Sequence, residues 1–281
     1  MAKATRIGGH VDGLGATNRS DNWWVGPALT VAGLGGWVLY YFFAAWQADY
    51  YAAGPYLSPF YAPLVWVDPA AARGAAISHA FFGEFPAWWP AFIPASPAFL
   101  IGIFPGTFRL TCYYYRKAYY RAFSGMPPGC AVGPVPHNYK GETALLIFQN
   151  LHRYTLYFAI ALLPFLYYES ALTFWHDGKF GVGVGSILIS MNAILLTAYT
   201  FGCHAWRHLI GGRLNCFSCD GGSRAAHEAW TWSSWFNSRH MLFAWSSLMW
   251  IAGCDIYVRL LSRGIIPDFN TWSGLTWVGD F

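Results

Sequence analysis

Charge is what this sequence has least of. Asp, Glu, Lys and Arg make up 11% of its 281 residues, while 56% are hydrophobic and 20% aromatic; an average soluble domain carries about 25% charged residues. That scarcity excludes an ordinary soluble fold and indicates a membrane protein. The opening 22 residues contain no apolar core, so no signal peptide is expected ahead of the first span. Cysteine is also sparse, at six. The net charge of +4 follows from the membrane topology argued below and gives no reason to expect a nucleic-acid partner.

Long uncharged runs are present instead. Asn22 to Ala48, Phe85 to Phe108 and Phe180 to Trp206 contain no Asp, Glu, Lys or Arg, and each exceeds the roughly 20 residues needed to cross the hydrocarbon core. Two further runs carry ionisable residues near their ends: Leu145 to Tyr168 holds His152 and Arg153, and Phe236 to Leu261 holds Arg239, His240 and Asp255. The expected fold is an all-α integral membrane bundle of five transmembrane helices forming a single domain, 1–281. The spans lie at about 23–47, 88–115, 145–168, 183–209 and 237–262, with an outer loop 49–87 and an inner loop 210–236.

Basic residues orient the bundle, because the cytoplasmic side retains them. With the N-terminus cytoplasmic, only Arg73, Lys179, Arg259 and Arg263 of the 17 Lys and Arg fall outside. The outer loop, rich in Pro, Trp and Tyr, is then expected to lie along the interface, where amphipathic rings are favourable.

Metal-ligand residue types collect at the inner surface. His152 starts the third span, His204 and His208 end the fourth, and His240 starts the fifth, while Cys216 and Cys219 hang from the loop between spans four and five. Ionisable groups are costly within a membrane and are by default functional. On the reducing cytoplasmic side, thiols stay free or bind metal, so Cys216 and Cys219 are the expected sulfur ligands, with Cys203 an available substitute for one of them. Cys112 and Cys254, within spans, and Cys130, in an inner loop, read as small packing residues.

The inventory leaves several metal centres open. No histidine occurs in the first two spans, which excludes a four-helix, two-haem arrangement, and a single haem b would leave the CxxC pair without a role. Structural zinc suits two His and two Cys by ligand count. A di-iron hydroxylase could use His204-x-x-x-His208, but the HxxHH pattern of such enzymes is missing. A Rieske-type [2Fe–2S] cluster takes two Cys on one iron and two His on the other, which the residues can supply. The soluble Rieske spacing, CxH followed by CxxH, does not occur.

Two short motifs add a family resemblance. Leu151-His152-Arg153-Tyr154-Thr155 at the start of the third span, and Arg207-His208-Leu209 at the end of the fourth, resemble the LHR-x-[ST] and RHL signatures of the cytochrome b-type membrane anchor of succinate dehydrogenase. The likeness covers roughly 145–262. The five-span layout, Ser58-Pro59-Phe60-Tyr61 and the Cys-rich inner loop resemble the actinobacterial class of that subunit, in which a Rieske-type cluster stands in place of haem. Haem-bearing relatives have an axial histidine seven residues before the His of RHL, a position held here by Phe201.

The resemblance implies a cytoplasmic-membrane anchor, without a succinate site of its own, that carries a flavoprotein and an iron–sulfur protein and passes electrons to menaquinone or another quinone. It implies Arg153 at the quinone head group, with Trp206 and Trp232 as candidate pocket walls. The candidate metal ligands are Cys216, Cys219, His240, His152, His208 and His204, on the cytoplasmic side; haem b is the alternative cofactor.

Overall fold

The structure is a computed structural model that describes residues 15–68, 80–125, 128–133, 149–212, 214–272 and 277–278. Of the basic residues that fix the expected orientation, Lys3, Arg6, Arg73, Lys140 and Arg213 lie outside the described residues, as do the first four positions of the expected third span.

Among the described residues, four helices are long and apolar enough to cross a membrane. They are α1 (Val25–Gln47), α5 (His152–Leu172), α6 (Val184–Phe201) and α9 (His240–Ser262). The hydrophobic run expected as the second span folds differently. It forms α2 (Pro97–Ile101), α3 (Ile103–Thr111) and α4 (Tyr113–Tyr119), followed by a π-helical turn, Tyr120–Ser124.

Local chemistry explains these breaks. Proline at the first position of α2 suits a helix start, where its missing N–H costs nothing. At Gly102 a β-carbon would lie 1.6 Å from the Tyr41 hydroxyl oxygen, so only glycine lets α1 approach; that hydroxyl donates to the Ala98 carbonyl at 2.5 Å. Cys112 then adopts an extended conformation, φ −65° and ψ 128°, which separates α3 from α4.

The expected fourth span also ends early. Helix α6 stops at Phe201, Cys203 is extended at φ −71° and ψ 143°, and α7 (His204–Gly211) begins anew. The inner loop expected over 210–236 is largely helical, as α8 (Gly221–Ser238). Asp220 starts that helix by accepting from the Ser223 backbone N–H at 2.8 Å and from its hydroxyl at 2.7 Å. These bonds hold the Asp220 carboxyl below its usual range.

The outer loop does not lie flat along the interface. Tyr51, Tyr56, Phe60, Tyr61, Leu64 and Val67 are buried against the bundle, and the pair β1 (Ala52–Ala53) with β2 (Tyr56–Leu57) makes the turn. One buried ion pair fastens this fold-back. Arg259 Nε donates to Asp255 Oδ2 at 2.6 Å, while its other nitrogens donate to Gln47 Oε1, the carbonyls of Asp49 and Ala44, and the Tyr61 hydroxyl. Asp255 also accepts from Tyr40 and Ser58, both at 2.5 Å. Burial pushes the Tyr61 hydroxyl up to about 12. Helix α9 packs on α6, and α5 on both α3 and α6, so the starts of α5 and α9 and the ends of α3 and α6 meet at one end of the bundle.

Candidate metal centre

At that end, four backbone breaks each present one soft ligand. Cys112 lies between α3 and α4, His152 opens α5, Cys203 lies between α6 and α7, and His240 opens α9. The two thiols are buried, Cys112 at 3% and Cys203 at 2% exposure. His152 Nε2 is 2.9 Å from Cys203 Sγ, and His240 Nε2 is 3.7 Å from Cys112 Sγ. The cysteines also lie within electrostatic reach of each other, as do the histidines.

Both imidazole rings are held in place. His152 stacks on Phe108 with centroids 4.5 Å apart and planes 10° apart, and its Nδ1 lies 3.0 Å from the Thr111 hydroxyl. His240 stacks on Tyr199 at 4.9 Å and 15°, while its buried Nδ1 has no hydrogen-bond partner among the described residues. A hydrogen-bonded second ring nitrogen, as in His152, is typical of metal-ligating histidines, whereas the His240 ring is held by stacking.

The donors form two pairs and do not surround one point. Among the described residues, no group of three or more His, Cys, Asp and Glu side chains is gathered for a single ion. A tetrahedral zinc needs its donors about one point, whereas a two-iron centre distributes them over two metals. Two thiols and two imidazoles match the donor types of a two-iron Rieske-type centre, although each close pair here joins one His to one Cys.

The other expected ligands lie elsewhere. Cys216 and Cys219 are joined in a disulfide, which corrects the expectation of free, metal-binding thiols at these positions. Their loop is pinned by Phe217, which packs on His227 at 4.8 Å. His204 and His208 are exposed on α7, and His208 packs over Gly212. His204 is still within electrostatic reach of His152.

The quinone candidates line no common pocket among the described residues. Arg153 is exposed, its guanidinium 4.9 Å above the Tyr154 ring; Trp206 is half-buried against Phe201; and Trp232 is 73% exposed on α8. Sequence reasoning missed Cys112 as a ligand candidate, and it missed Arg109. The Arg109 guanidinium donates to the Tyr115 hydroxyl, the Ala244 carbonyl and the Ser247 hydroxyl, and it lies 4.6 Å over the Tyr199 ring. The detectable signal was its position one helical turn before Cys112 at the end of an apolar run.

Residues 25–264 match the family described as "Actinobacterial succinate dehydrogenase subunit SdhC". Among solved structures the chain is similar to one from the "Mycobacterium smegmatis Sdh1 complex in the apo form". The identity is 41% and the TM-score 0.77, covering 88% of this chain and 90% of that one. No curated protein sequence matches.

Proposed function

The chain belongs to the actinobacterial family of succinate dehydrogenase SdhC membrane subunits, and from that premise we propose that it holds a Rieske-type [2Fe–2S] centre and delivers electrons to membrane quinone. Its role as a multi-pass membrane subunit of succinate dehydrogenase follows from the family and its apolar helices. In the proposed assembly a flavoprotein and an iron–sulfur protein dock at the cytoplasmic face, with the N-terminus on the same side.

The observation that carries the reading is the meeting of Cys112, His152, Cys203 and His240 at four backbone breaks in one layer. Cys112 and Cys203 would supply the two sulfurs, and His152 and His240 the two imidazoles. When bound, such a centre supplies one-electron chemistry at about −150 to +300 mV, a range in which quinones can be reduced. The protein supplies the rest. Thr111 holds the His152 ring through its Nδ1, Phe108 and Tyr199 hold the ring planes, and burial of both thiols keeps water away. Arg153, exposed at the start of α5, would hold a quinone carbonyl as negative charge develops there.

Low-temperature EPR of the succinate-reduced complex tests this. A Rieske-like signal, with average g below the ferredoxin value, is expected. A split haem band in the visible spectrum, or a colourless and silent chain, would overturn it.

A further inference from the structure

The Tyr199 hydroxyl stands out among buried polar atoms because the proposed function does not yet use it. It is buried near the end of α6 with no hydrogen-bond partner among the described residues, and its ring stacks on His240, whose Nε2 lies 3.7 Å from the Cys112 sulfur. An unpaired buried hydroxyl is costly, and an acceptor that is stronger in the working protein would offset that cost. A neutral thiol is a weak acceptor, and a metal-bound thiolate is a strong one.

The same side chain touches the other half of the site. Its ring stacks on His240, meets Phe108 edge-on at 5.5 Å, and carries the Arg109 guanidinium over its face. Among the described residues, Arg109 bonds only to neutral acceptors. Its charge is therefore not cancelled by a carboxylate there. A cation over the ring withdraws electron density from the phenol and strengthens its O–H as a donor.

Resting on the two-iron reading above, we propose that Tyr199 is a positioning residue of the centre: its hydroxyl donates to the Cys112 sulfur, its ring fixes the His240 imidazole, and together with Arg109 it raises the reduction potential. The direction follows from charge. Reduction adds an electron and makes the ligand sulfur a better acceptor, so a donor and a nearby cation both favour the reduced form.

The test is a redox titration of the EPR signal in the isolated complex. Tyr199→Phe keeps the ring and removes only the hydroxyl. It should retain the signal while shifting the reduction equilibrium about tenfold toward the oxidised form, a midpoint lower by about 59 mV for one electron. Arg109→Gln leaves the phenol in place and should lower the midpoint by a smaller step; it decides alone if Tyr199→Phe yields no assembled complex. A retained signal with wild-type midpoints overturns the Tyr199 inference and leaves the two-iron reading standing. A wild-type complex with no iron–sulfur signal overturns both.

Discussion

Two buried polar clusters at opposite ends of this bundle are satisfied to different degrees. At one end, Asp255 and Arg259 satisfy each other and reach Tyr40, Ser58, Tyr61, Gln47 and two backbone carbonyls. At the other end, His240 Nδ1 and the Tyr199 hydroxyl are buried without hydrogen-bond partners among the described residues, beside two thiols and a guanidinium held only by neutral acceptors. A closed network holds a structure together, since every donor has its acceptor. An open one leaves bonding capacity for something else. Under the proposed function, the Asp255–Arg259 end serves assembly and the His152–His240 end serves electron transfer.

The sharpest way to break this comparison is at the Asp255–Arg259 clamp. Removing one partner of a buried ion pair costs about 3–5 kcal/mol, because the other charge is left uncompensated. Asp255→Ala should therefore lower the yield and melting temperature of the purified complex markedly, and Asp255→Leu combined with Arg259→Met should recover much of the loss. In the fraction that assembles, the EPR signal should be unchanged. A single Asp255 variant of normal stability would remove the clamp from the account.

At the start of α5, Arg153→Ala is expected to slow quinone reduction by roughly 10²-fold, the scale of losing one donor to developing charge. Succinate oxidation by artificial dyes should continue. Arg153→Lys should recover only part of the rate, since a point charge replaces a planar fork. Wild-type turnover with quinone in the alanine variant would reduce Arg153 to an anchor resting on Tyr154.

Gly102 tests the packing that produces the broken helix. Gly102→Ala places a methyl where the Tyr41 hydroxyl stands, and overpacking of that kind costs about 1–3 kcal/mol. A lower melting temperature with retained quinone activity is expected. The smallest effect belongs to the start of α8. Asp220→Asn should leave activity intact and speed amide exchange only in the first turn of that helix. Because the folded carboxyl sits below its usual range, its contribution is present above the unfolded pKa and fades as pH falls through the depressed value. Exchange that is uniform along α8 at all pH values would contradict the cap.

Much of the architecture could be read from charge alone. Uncharged runs located α1 and α6, and imidazoles at span ends pointed to His152 and His240, which the fold brings beside cysteines. The second run misled because hydropathy does not register the Gly102 contact or the extended backbone at Cys112. Cys112 itself read as a packing residue because a lone Cys within a span is often buried as a small hydrophobe, and no spacing motif links it to Cys203. Cys216-x-x-Cys219 drew attention for the opposite reason. Its spacing has the local form of a metal-binding pair, whereas Cys112, His152, Cys203 and His240 come together only when four separate breaks meet. The cap at Asp220 and Ser223 was visible in sequence but was masked by the glycines that follow it.

The central claim is that the buried cysteines, and not the loop pair, belong to the metal centre. The most direct measurement compares low-temperature EPR and bound iron in complexes carrying Cys112→Ser, Cys203→Ser, Cys216→Ser and Cys219→Ser. Each of the first two variants should lose the Rieske-like signal and its iron, while each of the last two keeps both. Loss of the signal in the loop variants, with full retention in Cys112→Ser and Cys203→Ser, would contradict the account.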